Sequence, residues 1–511
     1  MKKILYFLML FMGVQAAGAQ NSYDVMRFAS DELNGTARFV GMGGSMGAMG
    51  TDISVISTNP AGIGLYRSFD AVATLGLHTV ENKATFLGSE IKDNKVSVAF
   101  DNIGLVFATD HGGDNLKYVN FAFNYRHRNH FSNSMEIAGS LIDGDNNYFS
   151  QQYALKNLYD ISGDYIDYND YYSLDYPWLG LLTSTSGLID DNGNLAYVPE
   201  GSEGRYPTYM NYRSKEKGGV DDIDVNISCN VNDMLYLGVT FTASNVDYTR
   251  AAEYTEFCDS YDYYTIQNSY NVSGNGFGVK LGAIVRPFEY SPLKIGLALH
   301  SPIWYGLTDR TSATFYGTGD KDKYIWDTRD YEAYGEDLFV DYEYTTPWRM
   351  NLSASYTFDT FAAINAEYEL VDYSTAGLEY TDGFDMDDLN TEIEANMKTQ
   401  HIFRVGALFN LSDELSLRCG YNYISAPNHE DAAKTTFKMH DTSTEYMNRY
   451  ETNVLTLGLG YAGESFYMDF AYKLAMQKAD FYNYYDYEFV NPAATVDITR
   501  QSLLMSLGFR F

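Results

Sequence analysis

The chain has 511 residues, with 68 acidic against 35 basic side chains and a formal net charge of -33. That balance excludes nucleic acid as a partner, because phosphate binding needs clustered Lys and Arg. Aromatics reach 16%, with 47 Tyr, and the three cysteines (Cys229, Cys258, Cys419) make no disulfide framework.

Lys2 and Lys3, the apolar run from Ile4 to Val14 and the small residues Ala17-Gly18-Ala19 have the form of a secretory signal over residues 1–19. The mature chain is expected to begin at Gln20. No later stretch approaches about 20 uninterrupted apolar residues, so no transmembrane helix is expected. Residues 20–66 are expected to form a compact N-terminal plug. Within them GTARFVGMGGSMGAMGTDISVISTNPAGIGLYR interleaves glycines with Met, Phe, Ile and Val, which a flexible linker would lack. Asn59-Pro60 is a turn initiator, and Gly62 and Gly64 keep the following backbone permissive. Phe39, Met42, Met46 and Met49 either touch a ligand, since Met adapts to varied apolar shapes, or only pack the plug in place.

From residue 69 onward period-2 alternation dominates. In DIDVNISCNV, Ile223, Val225, Ile227, Cys229 and Val231 share one face. After Asn232-Asp233, Leu235, Leu237, Val239, Phe241 and Ala243 do the same. The pattern predicts about 14 strands: 69–80, 95–108, 117–128, 222–232, 234–248, 275–288, 293–304, 346–358, 361–376, 400–411, 414–425, 451–462, 465–478 and 497–511. Short turns alternate with long connections (81–94, 129–221, 249–274, 305–345, 377–399, 426–450, 479–496), as in an all-β transmembrane antiparallel barrel with long loops at one rim. Helices are expected near Tyr148 to Tyr159 and Trp178 to Leu188 in the longest connection. Tyr suits bilayer interfaces and wet loops. The last strand sets Leu503, Met505, Leu507, Phe509 and Phe511 on one face, and Phe509 and the terminal Phe511 resemble the signal read by the barrel-assembly machinery.

Signal, Gly-rich plug and strand series together resemble the FadL/TodX family of outer-membrane transporters for hydrophobic compounds. Asn59-Pro60-Ala61 is similar to the family's motif at the end of its hatch, which implies that these residues anchor it: Pro60 fixes the turn, Asn59 can cap local backbone groups, and Ala61 leaves room for the barrel wall. LKIGLALHSPI (293–303), TTPWRMNLSASY (345–356), AEYELVDYS (366–374) and ISAPNHEDAA (424–433) resemble later family stretches in order. GTARFVGMGG is similar to the branch found in Bacteroidetes-type bacteria. The long 129–221 segment and the acidic, Tyr-rich loops depart from the family. The resemblance implies a monomer in the outer membrane of a Gram-negative bacterium, amid lipid and lipopolysaccharide, with its long loops outside. It implies uptake of long-chain fatty acids or other small hydrophobic molecules by diffusion, past a mobile hatch and out through a lateral gap.

Enzyme chemistry has little to stand on. No GxSxG or HExxH occurs, and His300 and Ser301, adjacent in a strand, point to opposite faces. No cofactor, catalytic residue or metal site is expected. A haemin or nutrient receptor, or a non-transport surface barrel, are the alternatives.

Overall fold

The computed structural model describes residues 20–113, 115–143, 147–148, 150–161, 179–180, 183, 188, 207–257, 263–317, 324–327, 338–437, 440–485 and 491–511. The expected signal at residues 1–19, most of the helix expected at Trp178 to Leu188, and Cys258 lie outside them.

Fourteen antiparallel strands form the wall. They are β1 (Asp70–Phe86), β2 (Ser89–Asp110), β3 (Leu116–His130, continued by Asn133–Ser140), β4 (Tyr209–Val231), β5 (Leu235–Phe257) and β6 (Tyr263–Val285). Next come β7 (Lys294–His300 and Trp304–Gly317), β8 (Leu338–Thr345 and Arg349–Phe358), β9 (Ala362–Asp372), β10 (Thr399–Asn410) and β11 (Leu415–Ile424). The last three are β12 (Tyr446–Ala462), β13 (Phe466–Tyr482) and β14 (Ala494–Arg510). β14 pairs with β1 from Asp70↔Arg510 to Thr85↔Thr495, so the sheet closes on itself and leaves no edge there. Before the wall come two short helices, α1 (Asp24–Ala29) and α2 (Ala37–Gly41). Two others, α3 (Gln152–Ile161) and α4 (Asp387–Asn396), lie in connections.

Which face is apolar decides the class. Leu75, Phe241, Phe277 and Leu457 point outward at 51, 57, 60 and 58% exposure, whereas Asn102, Asn124, Asp224, Asn226 and Ser506 point inward at 1% or less. A soluble sandwich buries the apolar set; this chain shows it outside, as a barrel in lipid must. The expected all-β transmembrane barrel is therefore the fold, and its outward belt fits an outer-membrane location. Among the described residues no helix is long and apolar enough to cross a membrane.

The strand count agrees with the alternation, but the bounds do not. β1 and β2 run on to a two-residue turn at Leu87-Gly88, both at positive φ, where a long connection over 81–94 was expected. β4 and β5 pair from Tyr209↔Phe257 to Val231↔Leu235, well beyond the apolar stretch. These extensions stand past the apolar belt, so their outward residues are polar and the period-2 signal fades while the ladder continues. β7 and β8, expected at 293–304 and 346–358 with a long connection over 305–345 between them, extend into that connection as far as Gly317 and from Leu338. Each is interrupted at a proline: Ser301-Pro302-Ile303 and Thr346-Pro347-Trp348. Pro offers no ladder N–H. Across the two breaks Thr346 N donates to Ile303 O at 3.1 Å and Ile303 N to Thr346 Oγ1 at 2.8 Å.

Candidate functional site

The N-terminal segment runs through the lumen and is bonded to opposite parts of the wall. Ala37 N donates to Ser506 Oγ on β14 (2.7 Å), Gly47 N to Glu367 on β9 (3.0 Å), and Asn59 Nδ2 to Ala283 O on β6 (3.2 Å). Thr36 caps α2 by accepting from Phe39 N. Asp52 does the same for a 3-10 turn over Ile53–Ser57, and Asn59 for another over Pro60–Leu65. Short polar side chains at these positions satisfy the backbone donors that short helices leave open.

Asn59-Pro60-Ala61 sits directly against the wall. Asn59 Oδ1 accepts from Ala61 N at 3.1 Å, and Pro60 O accepts from Asn226 Nδ2 (3.3 Å) and Ser228 Oγ (2.9 Å). The approach requires glycine opposite it. A Cβ on Gly282 would lie 2.2 Å from Asn59 Oδ1, and one on Gly238 2.5 Å from the Pro60 carbonyl. At the other side of the lumen, Gly406 and Gly420 receive the Met42-Gly43 backbone in the same way. These wall glycines were not singled out from sequence. Their signal is a glycine at inward parity in an otherwise regular strand.

Phe39, Met42, Met46 and Met49 are all buried and share one cluster with Ile53, Val55, Ile63 and Tyr66. Met42, Met46 and Met49 line neither of the two cavities described below. Phe509 and Phe511 face outward at 50% and 73% exposure, and Phe511 exchanges two backbone hydrogen bonds with Phe69 at 3.1 Å. Many Tyr expected at interfaces and loops instead point into the upper lumen. Tyr248, Tyr270, Tyr305, Tyr342, Tyr344 and Tyr373 pack around α1. Their hydroxyls find polar partners there, as from Tyr270 to Asp24 (2.8 Å) and from Tyr344 to Val25 O (2.9 Å).

One part of the wall lacks its ladder. β2 pairs with β3 only from Asn102↔Arg126 to Asp110↔Tyr118. Beyond that, Ser89–Phe100 pairs with β1, while the continuation of β3 pairs with β4. Side chains bridge the resulting seam: Ser97 Oγ with His130 Nε2 (2.5 Å) and Ser134 Oγ with Asp93 Oδ2 (2.5 Å). His127 and His130 lie at this seam. His127 pairs with Asp221 at 2.7 Å and meets His130 at 3.2 Å.

The end of β3 is held by the N-terminal segment. Arg126 binds Asp31 through both terminal nitrogens (3.0 and 3.1 Å), and Arg128 donates to Phe28 O (3.1 Å). Asn129 donates to Ser30 O (2.8 Å) and accepts from Glu32 N (3.0 Å), while Asn34 reaches His127 O (2.9 Å). Burial pushes the Asp31 carboxyl up, but Arg126 and Arg349 outweigh it and hold the group well below the usual carboxylate range. Glu32 is also lowered, with Arg500 and Lys473 outweighing burial.

Two cavities flank this region. One of about 80 Å³ has aromatic walls from Tyr23, Tyr212, Tyr446 and Phe481. The other, about 130 Å³, is lined by Leu33, Ile402, Ile424 and Val454. Met26, Arg449 and Arg500 belong to both. Among the described residues no group of His, Cys, Asp and Glu could hold a metal ion.

A closed 14-stranded barrel, apolar outside and occupied within by its own N-terminal segment, defines a plugged membrane barrel. Neither protein-family models nor curated proteins match the chain. Among solved structures, a FadL homologue from Pseudomonas aeruginosa superposes with a TM-score of 0.54 at 11% identity, over 94% of this chain and 99% of that one. Two structures of the Pseudomonas putida toluene transporter TodX give TM-scores of 0.51 and 0.52 at 12% and 11% identity, over 94% of this chain and 99% and 100% of theirs. The fold is that of the FadL and TodX barrels, as the sequence resemblance implied.

Proposed function

We propose that this protein takes small hydrophobic molecules, long-chain fatty acids among them, across the outer membrane by diffusion and without catalysis. Residues 20–66 act as the hatch, residues 67–511 as the barrel, and the long connections face outward. The ligand enters at the long-loop end, meets the hatch, and leaves sideways through the seam between β2 and β3. The observation that carries this reading is the coupling of seam and hatch. Residues 28–34 hold the end of β3 through Arg126, Arg128 and Asn129. A shift of the hatch therefore loosens a wall stretch that is bridged by side chains instead of a ladder. Side-chain hydrogen bonds contribute only about 1 kcal/mol each, so parting them is far easier than unzipping paired strands. The sideways route avoids returning the ligand to water, which costs about 0.8 kcal/mol per exposed CH₂.

Asn59, Pro60 and Ala61 anchor the hatch at its barrel end, and Phe39, Met42, Met46 and Met49 meet ligand only once it moves. Phe509 and Phe511 serve assembly of what we take to be a monomer. The test is uptake of radiolabelled long-chain fatty acid by cells expressing wild type, Asn59→Ala or a deletion of residues 22–58. Uptake above an empty-vector strain, altered in variants that still assemble as heat-modifiable barrels, supports the reading. No uptake by wild type removes fatty acids as substrates, and haemin and neutral aromatics are then assayed in the same cells.

A further inference from the structure

Transport through the lumen leaves the outer surface of the extended wall unused. Across β4, β5, β6 and β7 the registers align outward side chains in rows. One row runs from Lys215 through Ala251 and Ser269 to Ser312. The row farther from the belt runs from Arg213 through Glu253 and Gln267 to Thr314. Ala251, Ser269 and Ser312 are short beside Glu253 and Gln267, so the first row sinks into a trough. The cavity over these two rows is about 570 Å³, against about 80 and 130 Å³ for the two in the lumen. On its side toward the belt stands a third row, from Lys217 through Thr249 and Asn271 to Arg310. Neighbouring strands lie about 4.8 Å apart, so four of them give the trough a length of about 14 Å, the footprint of a short saccharide.

The rows have the parity of the lipid-facing residues. Ile223, Phe277 and Trp304, all exposed on the outer face, lie eight residues along from Lys215, Ser269 and Ser312. Eight residues at about 3.3 Å each, tilted by about 40°, put the trough about 20 Å above the belt. That is beyond the acyl chains and level with the sugars of the outer leaflet. The trough is also cationic, in a chain whose net charge is -33. Arg213, Lys215, Lys217 and Arg310 stand against Glu253 alone in the three rows. Arg213 pairs with Glu136 (2.8 Å) on the continuation of β3, and Glu253 accepts from Gln267 (2.6 Å). Lys215, Lys217 and Arg310 are exposed and make no side-chain hydrogen bond or ion pair among the described residues. The other side of the barrel is the reverse. Among the described residues β8 to β12 expose no Lys or Arg, and show Asp341, Glu343 and Glu451 instead.

We infer that this trough binds an acidic sugar of the lipopolysaccharide core, the saccharide that surrounds an outer-membrane barrel at this height. Sugar hydroxyls both donate and accept, as do the side chains of Gln267, Ser269, Ser312 and Thr314. A phosphate or carboxylate on the sugar meets Lys215, Lys217 and Arg310, and such charge-assisted bonds are stronger than neutral ones. The site rests on the reading above that the long connections face outward.

The test is equilibrium binding of two probes to the purified full-length protein in a polyoxyethylene detergent, which carries no sugar. One probe is the delipidated acidic core oligosaccharide of a rough-type lipopolysaccharide, the other neutral maltoheptaose. Wild type should bind the acidic core tenfold or more tightly, and added salt should shrink that preference. Combined Lys215→Ala, Lys217→Ala and Arg310→Ala should bring it below twofold. Ser269→Trp fills the trough without changing charge and should weaken binding of the core at least fivefold. Equal binding of both probes by wild type overturns the acidic ligand. Binding of the core that is unchanged in Ser269→Trp overturns the trough as its seat, and a charged surface that holds any polyanion then remains. Tyr209→Cys, beyond the trough on β4 in a chain whose native cysteines are Ser, checks the orientation separately. A membrane-impermeant maleimide should label it on intact cells. Absence of labelling there overturns the outward reading itself, whereas labelling without core binding overturns only the site.

Discussion

A side chain at Gly282 gives the sharpest test of how the hatch is held. A Cβ there falls 2.2 Å from Asn59 Oδ1 and 2.8 Å from Pro60 Cδ. Gly282→Val therefore pushes the Asn59-Pro60 turn off the wall by about an ångström, since ordinary contact begins near 3.5 Å. Four hydrogen bonds are at stake: Asn59 to Ala283 O, Ala61 N to Asn59, and Asn226 and Ser228 to Pro60 O. At about 0.5–1 kcal/mol each, local opening becomes easier by roughly 2–4 kcal/mol. Amide hydrogen exchange over residues 53–66 should then speed up by roughly 30- to 700-fold. Exchange in the β6 ladder should change little. Gly377→Ala is the control, because nothing lies within 4 Å of a Cβ there. Unchanged protection of 53–66 in Gly282→Val, in a barrel that has assembled, would refute the claim that wall glycines seat the hatch.

Other expectations follow from the same contacts. Asp31 and Glu32 are held below their unfolded values of about 3.9 and 4.3. Their contribution is thus full above those values and is lost as pH falls through the lower folded values. Limited proteolysis should find residues 24–34 equally protected at pH 8 and 5 and released only as pH falls well below 4; release already between pH 8 and 5 argues against these ion pairs as the anchor. Arg404 bridges Glu367 (3.1 Å) and Glu369 (2.8 Å) inside the lumen. Arg404→Met strips Glu367 of its cation while Glu369 keeps Arg349 (2.8 Å), and should cost about 3–5 kcal/mol, visible as a lower midpoint in urea unfolding. A disulfide between Asp93→Cys and Ser134→Cys, placed where the two side chains meet at 2.5 Å, should slow export of ligand into the bilayer while leaving binding intact. Equal transport by its oxidised and reduced forms would move the exit elsewhere.

Much of this architecture was legible because lipid inverts the usual burial rule. Ile223, Val225 and Ile227 alternate with Asp224, Asn226 and Ser228; the first set faces out and the second in. Such alternation marks strands wherever one face meets lipid and goes silent above the bilayer. For that reason β4 and β5 run farther than expected and the 81–94 connection is a hairpin. The compact N-terminal segment was visible in its glycines and its Asn-Pro turn, but its seat on the wall was not. A glycine such as Gly238 or Gly282 reads only as a missing side chain until its neighbour is known. The seam was hidden for a related reason. His127 and Asn129 have ordinary strand neighbours in sequence, and only the ladder shows that β2 stops pairing with β3 at Asn102.

The central claim is that ligand passes by displacement of the N-terminal hatch. Ser45 Oγ and Asn365 Nδ2 lie 2.7 Å apart between hatch and β9. A Ser45→Cys, Asn365→Cys variant, in a chain whose native cysteines are Ser, can tie the two together reversibly. Uptake of labelled fatty acid is the measurement, with crosslinking verified by mobility on gels. The account predicts uptake that falls to the empty-vector level when the disulfide is formed and returns when it is reduced. Uptake that is the same in the fully crosslinked and reduced forms would contradict it.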